Sequence, residues 1–386
     1  MKTSTCRLRR LFLVLTLPLT LGGIQAETAL DVEELRIPKA LEAMPESVTR
    51  LQAEIYGFLK ELLTADPEQL NQLVIEHSQK LWRASVTLIQ DDTTLDDRSL
   101  YWARLSMRKL LKESEVFAKL TIEQQTDLLW QLELHSRGAS NVDYQDDITH
   151  KILITGFDPF FLDRHIHQSN PSGATALALD GQTIEWKGKR AQIEAVILPV
   201  RFAEFDQGMV ETMLRPHIQY LDLLATISMG RSDFDLERFP GLRRSAEAPD
   251  NLNVLTGASK TNPLIPMLKG EPLDGPEFVL FSLPVEKMQR AEGAFKIIDN
   301  HKVSTLEDGA IEADSLQSLA GKTSVSGSGG GYLSNEISYR SIRLTSELKG
   351  FLPTGHIHTP RIQGFDPETT GKIIEQIRAM LTQTLD

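Results

Sequence analysis

From about residue 150 onward, short apolar runs alternate with amphipathic stretches, and this rhythm restricts the fold more than any other feature of the chain. The runs 151–155 (KILIT), 191–198 (AQIEAVIL), 223–228 (LLATIS) and 278–282 (FVLFS) have the length and apolar character of buried strands. Helical stretches are expected between them, around 172–180, 203–214 and 286–300, and 367–385 reads as an amphipathic C-terminal helix. Strands that alternate with helices imply an α/β fold with a mostly parallel sheet and helices on both faces.

The preceding stretch follows a different period. Between Leu30 and Arg137, apolar residues recur at three and four, as in Leu51, Ile55, Phe58, Leu59, Leu62 and Leu63. Asp66-Pro67-Glu68 is expected to open a helix whose apolar face is Leu70, Leu73, Val74, His77 and Leu81. Thr121 and Gln124 have capping-box spacing ahead of Leu128, Leu129 and Leu132. Trp82, Trp102 and Trp130 read as packing between helices, and no residue cluster here suggests chemistry. The boundaries implied are an all-α extension over 27–148 and an α/β domain over 149–386, joined by the polar, turn-prone segment 136–147. Residues 243–314 hold several Pro and Gly and little periodicity, so long surface loops are expected, either shaping access to a site or forming a passive insertion.

Residues 1–26 read as a secretory signal peptide. Lys2, Arg7, Arg9 and Arg10 precede an apolar run over 11–21 (LFLVLTLPLTL), followed by Gly22, Gly23 and Ala26. The run is shorter than the ~20 residues needed to span a bilayer, and Pro18 lies inside it. Export to a periplasmic or extracellular location is therefore expected, and an integral membrane protein is not. Cleavage after Ala26 removes Cys6, the single cysteine, so the mature chain has no thiol and no disulfide. It also removes four basic residues and no acid from a chain that already has 53 Asp+Glu against 41 Lys+Arg, a net charge of −12. That balance argues against a nucleic-acid partner.

Three segments carry candidate chemistry. Thr155-Gly-Phe-Asp-Pro-Phe160, then Asn170-Pro-Ser172, follows a strand, where open α/β sheets bind ligands, and Phe157 and Phe160 can form an apolar wall. Gly230-Arg231 and Asp235-Leu-Glu237-Arg238 follow another strand, although a carboxylate among arginines is more often a surface ion pair. Val325-Ser-Gly-Ser-Gly-Gly-Gly-Tyr-Leu-Ser334-Asn335 is a glycine-rich turn able to present backbone N–H groups to an anion or oxyanion, with Gly355-His-Ile-His358-Thr-Pro360 beyond it. It is neither a Walker loop nor a G-x-S-x-G elbow.

Taken in order, these segments resemble the cysteine-type pyroglutamyl peptidases (pyrrolidone-carboxylate peptidases) over roughly residues 150–385. The family's Gly-Phe-Glu-Pro-Phe and Asn-Pro-Ser are similar to 156–160 and 170–172, and its Leu-Pro-Val-x-Phe to 198–202. Its Gly-Arg with a Glu six residues on is similar to Gly230, Arg231 and Glu237. Pro249-Asp250-Asn251 and Leu283-Pro284-Val285 follow. Val-Ser-x-Ser-Ala-Gly-Thr-Tyr-x-Cys-Asn aligns without a gap on 325–335, with Tyr339 after it, and Gly-Phe-Ile-His-x-Pro is similar to 355–360.

The resemblance implies removal of an N-terminal pyroglutamyl residue from peptides by a nucleophile, a histidine base and an orienting carboxylate, with no cofactor. By position these are Ser334, His358 and Glu237, with Phe157, Phe160, Asn170 and Leu333 as substrate-binding candidates. Ser334 stands where the family has its cysteine, and the alternative is an inactive scaffold that binds peptide N-termini or a related small ligand. The family's lactam-binding Gln falls on Ile227, which cannot make that hydrogen bond, and Gly329-Gly330-Gly331 is expected to loosen the oxyanion loop. His165, His167, His356 and His358 have the alternation of a zinc set. The preferred reading is no metal, with His165, His167 and His356 at the solvent or the rim. The partner implied is a peptide substrate or ligand, and homo-oligomerisation is left open.

Overall fold

The structure, a computed structural model, describes residues 29–91 and 94–386. The leader expected over 1–26, Cys6 included, lies outside the described residues. The N-terminal region is helical: α1 (Val32–Leu35), α2 (Ile37–Ala43), α3 (Pro45–Thr49), α4 (Gln52–Leu62), α5 (Leu70–Asp91), α6 (Arg98–Glu113), α7 (Glu115–Ala118) and α8 (Ile122–His135). Thr121 caps α8 through a reciprocal pair of hydrogen bonds with Gln124, as the spacing implies. Helix α5 starts three residues later than Pro67 suggests. Asp66 instead closes a turn, its carbonyl accepting from the Gln69 N–H. Leu70, Val74, His77 and Leu81 are buried along it. Trp82 and Trp102 are fully buried, and Trp130 is half-buried.

The second region runs β1 (His150–Phe157), α9 (Pro171–Leu179), β2 (Thr183–Trp186), β3 (Lys189–Leu198), α10 (Phe202–Asp206), α11 (Met209–Leu214), β4 (Leu223–Met229), β5 (Phe234–Glu237), β6 (Met267–Leu268), β7 (Glu271–Pro272), α12 (Val285–Met288), β8 (Ile297–Asn300), β9 (Lys302–Thr305), β10 (Gly309–Glu312), β11 (Ser324–Ser326), α13 (Leu333–Lys349), β12 (Thr354–Thr359) and α14 (Pro367–Gln383). Seven strands form one sheet in the order β2-β3-β1-β4-β12-β5-β8. Its neighbours are parallel except β2 with β3 and β12 with β5. The strand period of two sends alternate side chains to opposite faces. Ile152, Ile154, Ile193, Ala225, Ile227 and Ile357 pack toward α5, α9 and α14, whereas Leu153, Val196, Leu198 and Leu224 pack toward α10, α11 and α13. The fold is therefore α/β, with a mostly parallel sheet flanked by helices and preceded by a helical region.

Three expected elements differ. Segment 278–282 is not a sheet strand: it runs beside 238–241, where Val279 and Phe281 donate to the Pro240 and Arg238 carbonyls. Pro240 has no N–H to return, so no regular ladder forms. The helix expected over 286–300 is the single turn α12 followed by β8. Gly293 interrupts it, and the Gln376 side chain occupies the space a Cβ there would need. The helix over 203–214 is split into α10 and α11 at Gly208, which adopts φ 87°. Segment 136–147 connects the two regions but is docked against the edge of β3. Ile197 N–H donates to the Arg137 carbonyl, and the Gln192 side chain bridges Asp143 and Gln145.

Candidate active site

The site lies at the carboxyl ends of β4 and β12, and β5, antiparallel to β12, contributes Glu237 beside them. Glu237 ends β5 and is fully buried. Its Oε1 lies 2.5 Å from His358 Nδ1, and its Oε2 accepts from Asn300 Nδ2 at 2.8 Å. An ionised carboxylate only accepts, so the pair fixes the proton on Nδ1 and leaves the Nε2 lone pair as the basic position. Asn300 ends β8 in register with Glu237, and its amide also donates to the Ser328 carbonyl. Arg231 Nη2 lies 3.7 Å from Glu237 Oε1, but its Nε is bonded to Asp235. Gly230 packs on the imidazole so closely that a Cβ there would sit 2.5 Å from His358 Cβ, so a side chain would displace the ring.

Ser334 lies in the first turn of α13, a helix of 17 residues whose N-terminal dipole favours developing negative charge. The preceding loop is tied down. Asn335 exchanges two side-chain hydrogen bonds with the Gly241 backbone, and the Gly331 carbonyl accepts from both Ser245 and Ala246. A Cβ at Gly331 would meet Ser245 Oγ at 2.0 Å, and one at Gly327 would meet Asn335 Oδ1 at 2.1 Å. Gly327 and Gly331 thus permit close packing, while Gly330, at φ 91°, has open space at its Cβ position. Residues 241–246 buttress this loop from outside, and nothing from 243–314 lines the cavity beside Ser334. Ser334 Oγ donates to the Gly329 carbonyl at 3.1 Å, and among the described residues no hydrogen bond joins it to His358.

Phe157, Phe160, Asn170 and Leu333 surround one cavity of ≈ 50 Å³, together with Val200, Ser228, Met229, Tyr332 and Ser334. Asn170 caps α9: its Oδ1 accepts from Ser172, and its Nδ2 donates to the Asp158 carbonyl. Ile227 faces the opposite side of the sheet, in the core, so the polar group that β4 offers the cavity is Ser228. Behind Ser228 stands His356, which is fully buried and not a rim residue. Its ring nitrogens lie 2.8 Å from the Thr226 and Ser228 hydroxyls, and its ring meets that of His358 edge-on at 4.8 Å.

Burial, and then the neighbouring His358, hold the His356 pKa well below the usual histidine value, so it is neutral in the folded protein. Below about pH 6.5 the unfolded chain takes up a proton that the folded chain refuses. Asp180 and Glu194 act oppositely: burial raises them to about 7 and about 8, so their contribution is lost as pH rises through those values. We expect the stability difference between wild type and His356→Gln to shrink as pH falls from 7 to 5, by up to about 1.4 kcal/mol per pH unit. Urea unfolding at several pH values measures it, and a pH-independent difference would contradict a neutral buried His356.

His165 and His167 are exposed on the 161–169 loop, and among the described residues no group of three or more His, Cys, Asp or Glu is arranged to hold a metal. The helical region, read as lacking chemistry, reaches the site. Both Asp97 carboxylate oxygens accept from the Asn170 N–H, and Arg104 Nη1 lies 3.0 Å from each oxygen of Asp158, beside Phe157. Burial, and next the charge of Asp96, push the Asp97 carboxyl well above the usual range. Asn300, Ser228, Asp97 and Arg104 had no local sequence signal, because each acts through a residue far away in the chain.

Two family models match the chain. The PA0049 C-terminal domain matches residues 151–272 and 296–363, and the PA0049 N-terminal domain matches 20–133. Together the two matches make the chain similar to both PA0049 domains over residues 20–133, 151–272 and 296–363. The C-terminal match contains Glu237, Asn300, Ser334 and His358. The uncharacterized protein PA0049 of Pseudomonas aeruginosa is 28% identical over 390 residues, covering 76% of this chain and 70% of that protein. Among solved structures, a mutant pyrrolidone carboxyl peptidase from the hyperthermophile Pyrococcus furiosus is similar at a TM-score of 0.42 and 22% identity, over 61% of this chain and 98% of that one. The structures of the same enzyme and its cysteine-free mutant give the same TM-score, identity and coverage. Among the described residues, no helix is long and apolar enough to cross a membrane.

Proposed function

We propose that the protein is an exported hydrolase that removes a pyroglutamyl or similarly small N-terminal group from peptides, with Ser334 as nucleophile, His358 as base and Glu237 as its orienting carboxylate. The observation that carries this reading is the buried Glu237–His358 pair, braced by Asn300 and set beside a small, mostly apolar cavity at whose edge Ser334 stands. In the reaction, Ser334 turns about χ1 from the Gly329 carbonyl toward His358 Nε2 and attacks the acyl carbon as the imidazole takes its proton. The imidazolium then protonates the departing amine, and water attacks the acyl-enzyme by the same route. The free N–H groups of the first turn of α13 supply donors for the oxyanion. In the acyl pocket, Ser228 is the polar contact that the family's Gln provides elsewhere.

The hydrogen bond from Ser334 to Gly329 favours a second reading, in which serine in the place of the family's cysteine leaves a scaffold that binds peptide N-termini without cleaving them. Hydrolysis of a pyroglutamyl-amide reporter separates the two. We expect wild-type turnover, Ser334 labelling by a fluorophosphonate, and loss of turnover by up to about 10⁶-fold in Ser334→Ala. Turnover that appears only in Ser334→Cys would assign the protein to the binding class.

A further inference from the structure

A second cavity adjoins the first. It has a volume of ≈ 320 Å³ and shares Phe160 and Met229 with the acyl pocket, and its other walls include Phe161, His165, Gln168 and Arg361. Two loops, 161–169 and 361–364, form it, and they are stitched together before any ligand arrives. Gln168 Nε2 donates to the Ile362 carbonyl, its Oε1 accepts from the Gly364 N–H, and Ser169 N–H donates to the Gly364 carbonyl. Phe161 is held at φ 61°, a left-handed conformation that bulky residues rarely adopt, by Arg164 and His165 N–H groups that both donate to its carbonyl. It is 37% exposed, its ring 4.7 Å from that of Phe160, so the aromatic wall continues from one cavity into the other.

Arg361 gives this cavity its charge. Its backbone N–H donates to the Arg231 carbonyl, while among the described residues its guanidinium has neither an ion-pair nor a hydrogen-bond partner. Arg361 follows His358 by three residues, a backbone span of at most about 10 Å, comparable with two to three extended peptide residues. Arg361 is exposed and lines this aromatic-walled space, and a guanidinium there matches a carboxylate one or two residues beyond the scissile bond.

Building on the hydrolase reading, we propose that this second cavity is the leaving-group subsite and that Arg361 receives the free C-terminal carboxylate of a di- or tripeptide. The preferred substrates are then short pyroglutamyl peptides with a free carboxyl terminus, over long chains and peptide amides.

The test measures binding and turnover separately on the full chain. In the Ser334→Ala background, calorimetry compares pyroglutamyl-alanine with pyroglutamyl-alaninamide. We expect the acid to bind at least about tenfold more tightly, the margin to narrow with added salt, and Arg361→Gln to bring the acid to the level of the amide without weakening the amide. Equal binding of acid and amide, equal weakening of both by Arg361→Gln, or no binding of either would overturn the subsite. Wild-type hydrolysis without a preference for the acid would leave the hydrolase reading standing and remove this one. Acid-selective binding with no wild-type hydrolysis would do the reverse.

Discussion

Glu237→Gln is expected to lower turnover of a pyroglutamyl amide about 10⁴-fold, the scale seen when the orienting carboxylate of a serine triad becomes an amide. The reason lies in the two donors that Glu237 serves at once, His358 Nδ1–H and Asn300 Nδ2–H. Gln has one acceptor oxygen and must turn its NH₂ toward one of them. Facing His358, the NH₂ forces the proton onto Nε2 and removes the lone pair that Ser334 needs. Facing Asn300, it sets donor against donor in a buried site, a cost of about 1–3 kcal/mol. Adding Asn300→Asp supplies an acceptor for that NH₂ and returns the Gln oxygen to His358. The double variant is therefore expected to recover part of the loss, though not all, because the Asn300 bond to the Ser328 carbonyl is given up. Turnover, together with the His358 tautomer read from ¹⁵N shifts, reports the result. A single variant within tenfold of wild type would mean that the Glu237 carboxylate is not what orients and charges His358 for catalysis.

The parts of the site that were legible in the sequence are those with strictly local patterns. Runs 151–155, 191–198 and 223–228 are buried strands because continuous apolar stretches suit a sheet covered on both faces. Thr121 and Gln124 cap a helix because their reciprocal bonds span three residues. Phe157, Phe160, Asn170 and Leu333, named from ordered motifs, meet around one cavity. Asn300 was hidden because the residues before Gly293 carry a helical period, which concealed the strand that brings it to Glu237. His356 looked like a rim residue because alternation along β12 says which residues share a face, not that Thr226 and Ser228 wait on that face to satisfy its nitrogens. Asp97 and Arg104 were invisible for the same reason. A buried polar group is explained by its partner, and theirs lie more than fifty positions away.

That long-range pairing predicts an asymmetry between the two sides of one ion cluster. Asp158 is buried between Arg104 and Arg137. Arg137 also pairs with Glu133, and Glu133 with Arg201, which reaches Glu33 in α1. Asp158→Ala leaves Arg104 and Arg137 facing each other in the interior, and breaking a buried pair from one side costs about 3–5 kcal/mol. A fall in Tm on the order of 10 °C is expected. Arg104→Met is expected to cost far less. Arg137 still neutralises Asp158, and the change deletes Nε and Nη2 of Arg104, two buried donors with no hydrogen-bond partner. Burial, and next the charge of Arg137, already lower the Arg104 pKa, so the native structure holds that cation at a penalty. Adding Arg104→Met to Asp158→Ala should therefore restore part of the lost stability. The loss should appear in a single unfolding transition, because one apolar cluster runs from Phe58, Leu81 and Trp82 of the helical region into Ile152, Ala174 and Leu177 of the sheet region. Calorimetry of the variants decides the matter: equal losses from the two single changes, or two separate transitions, would show that the cluster does not couple the helical region to the sheet.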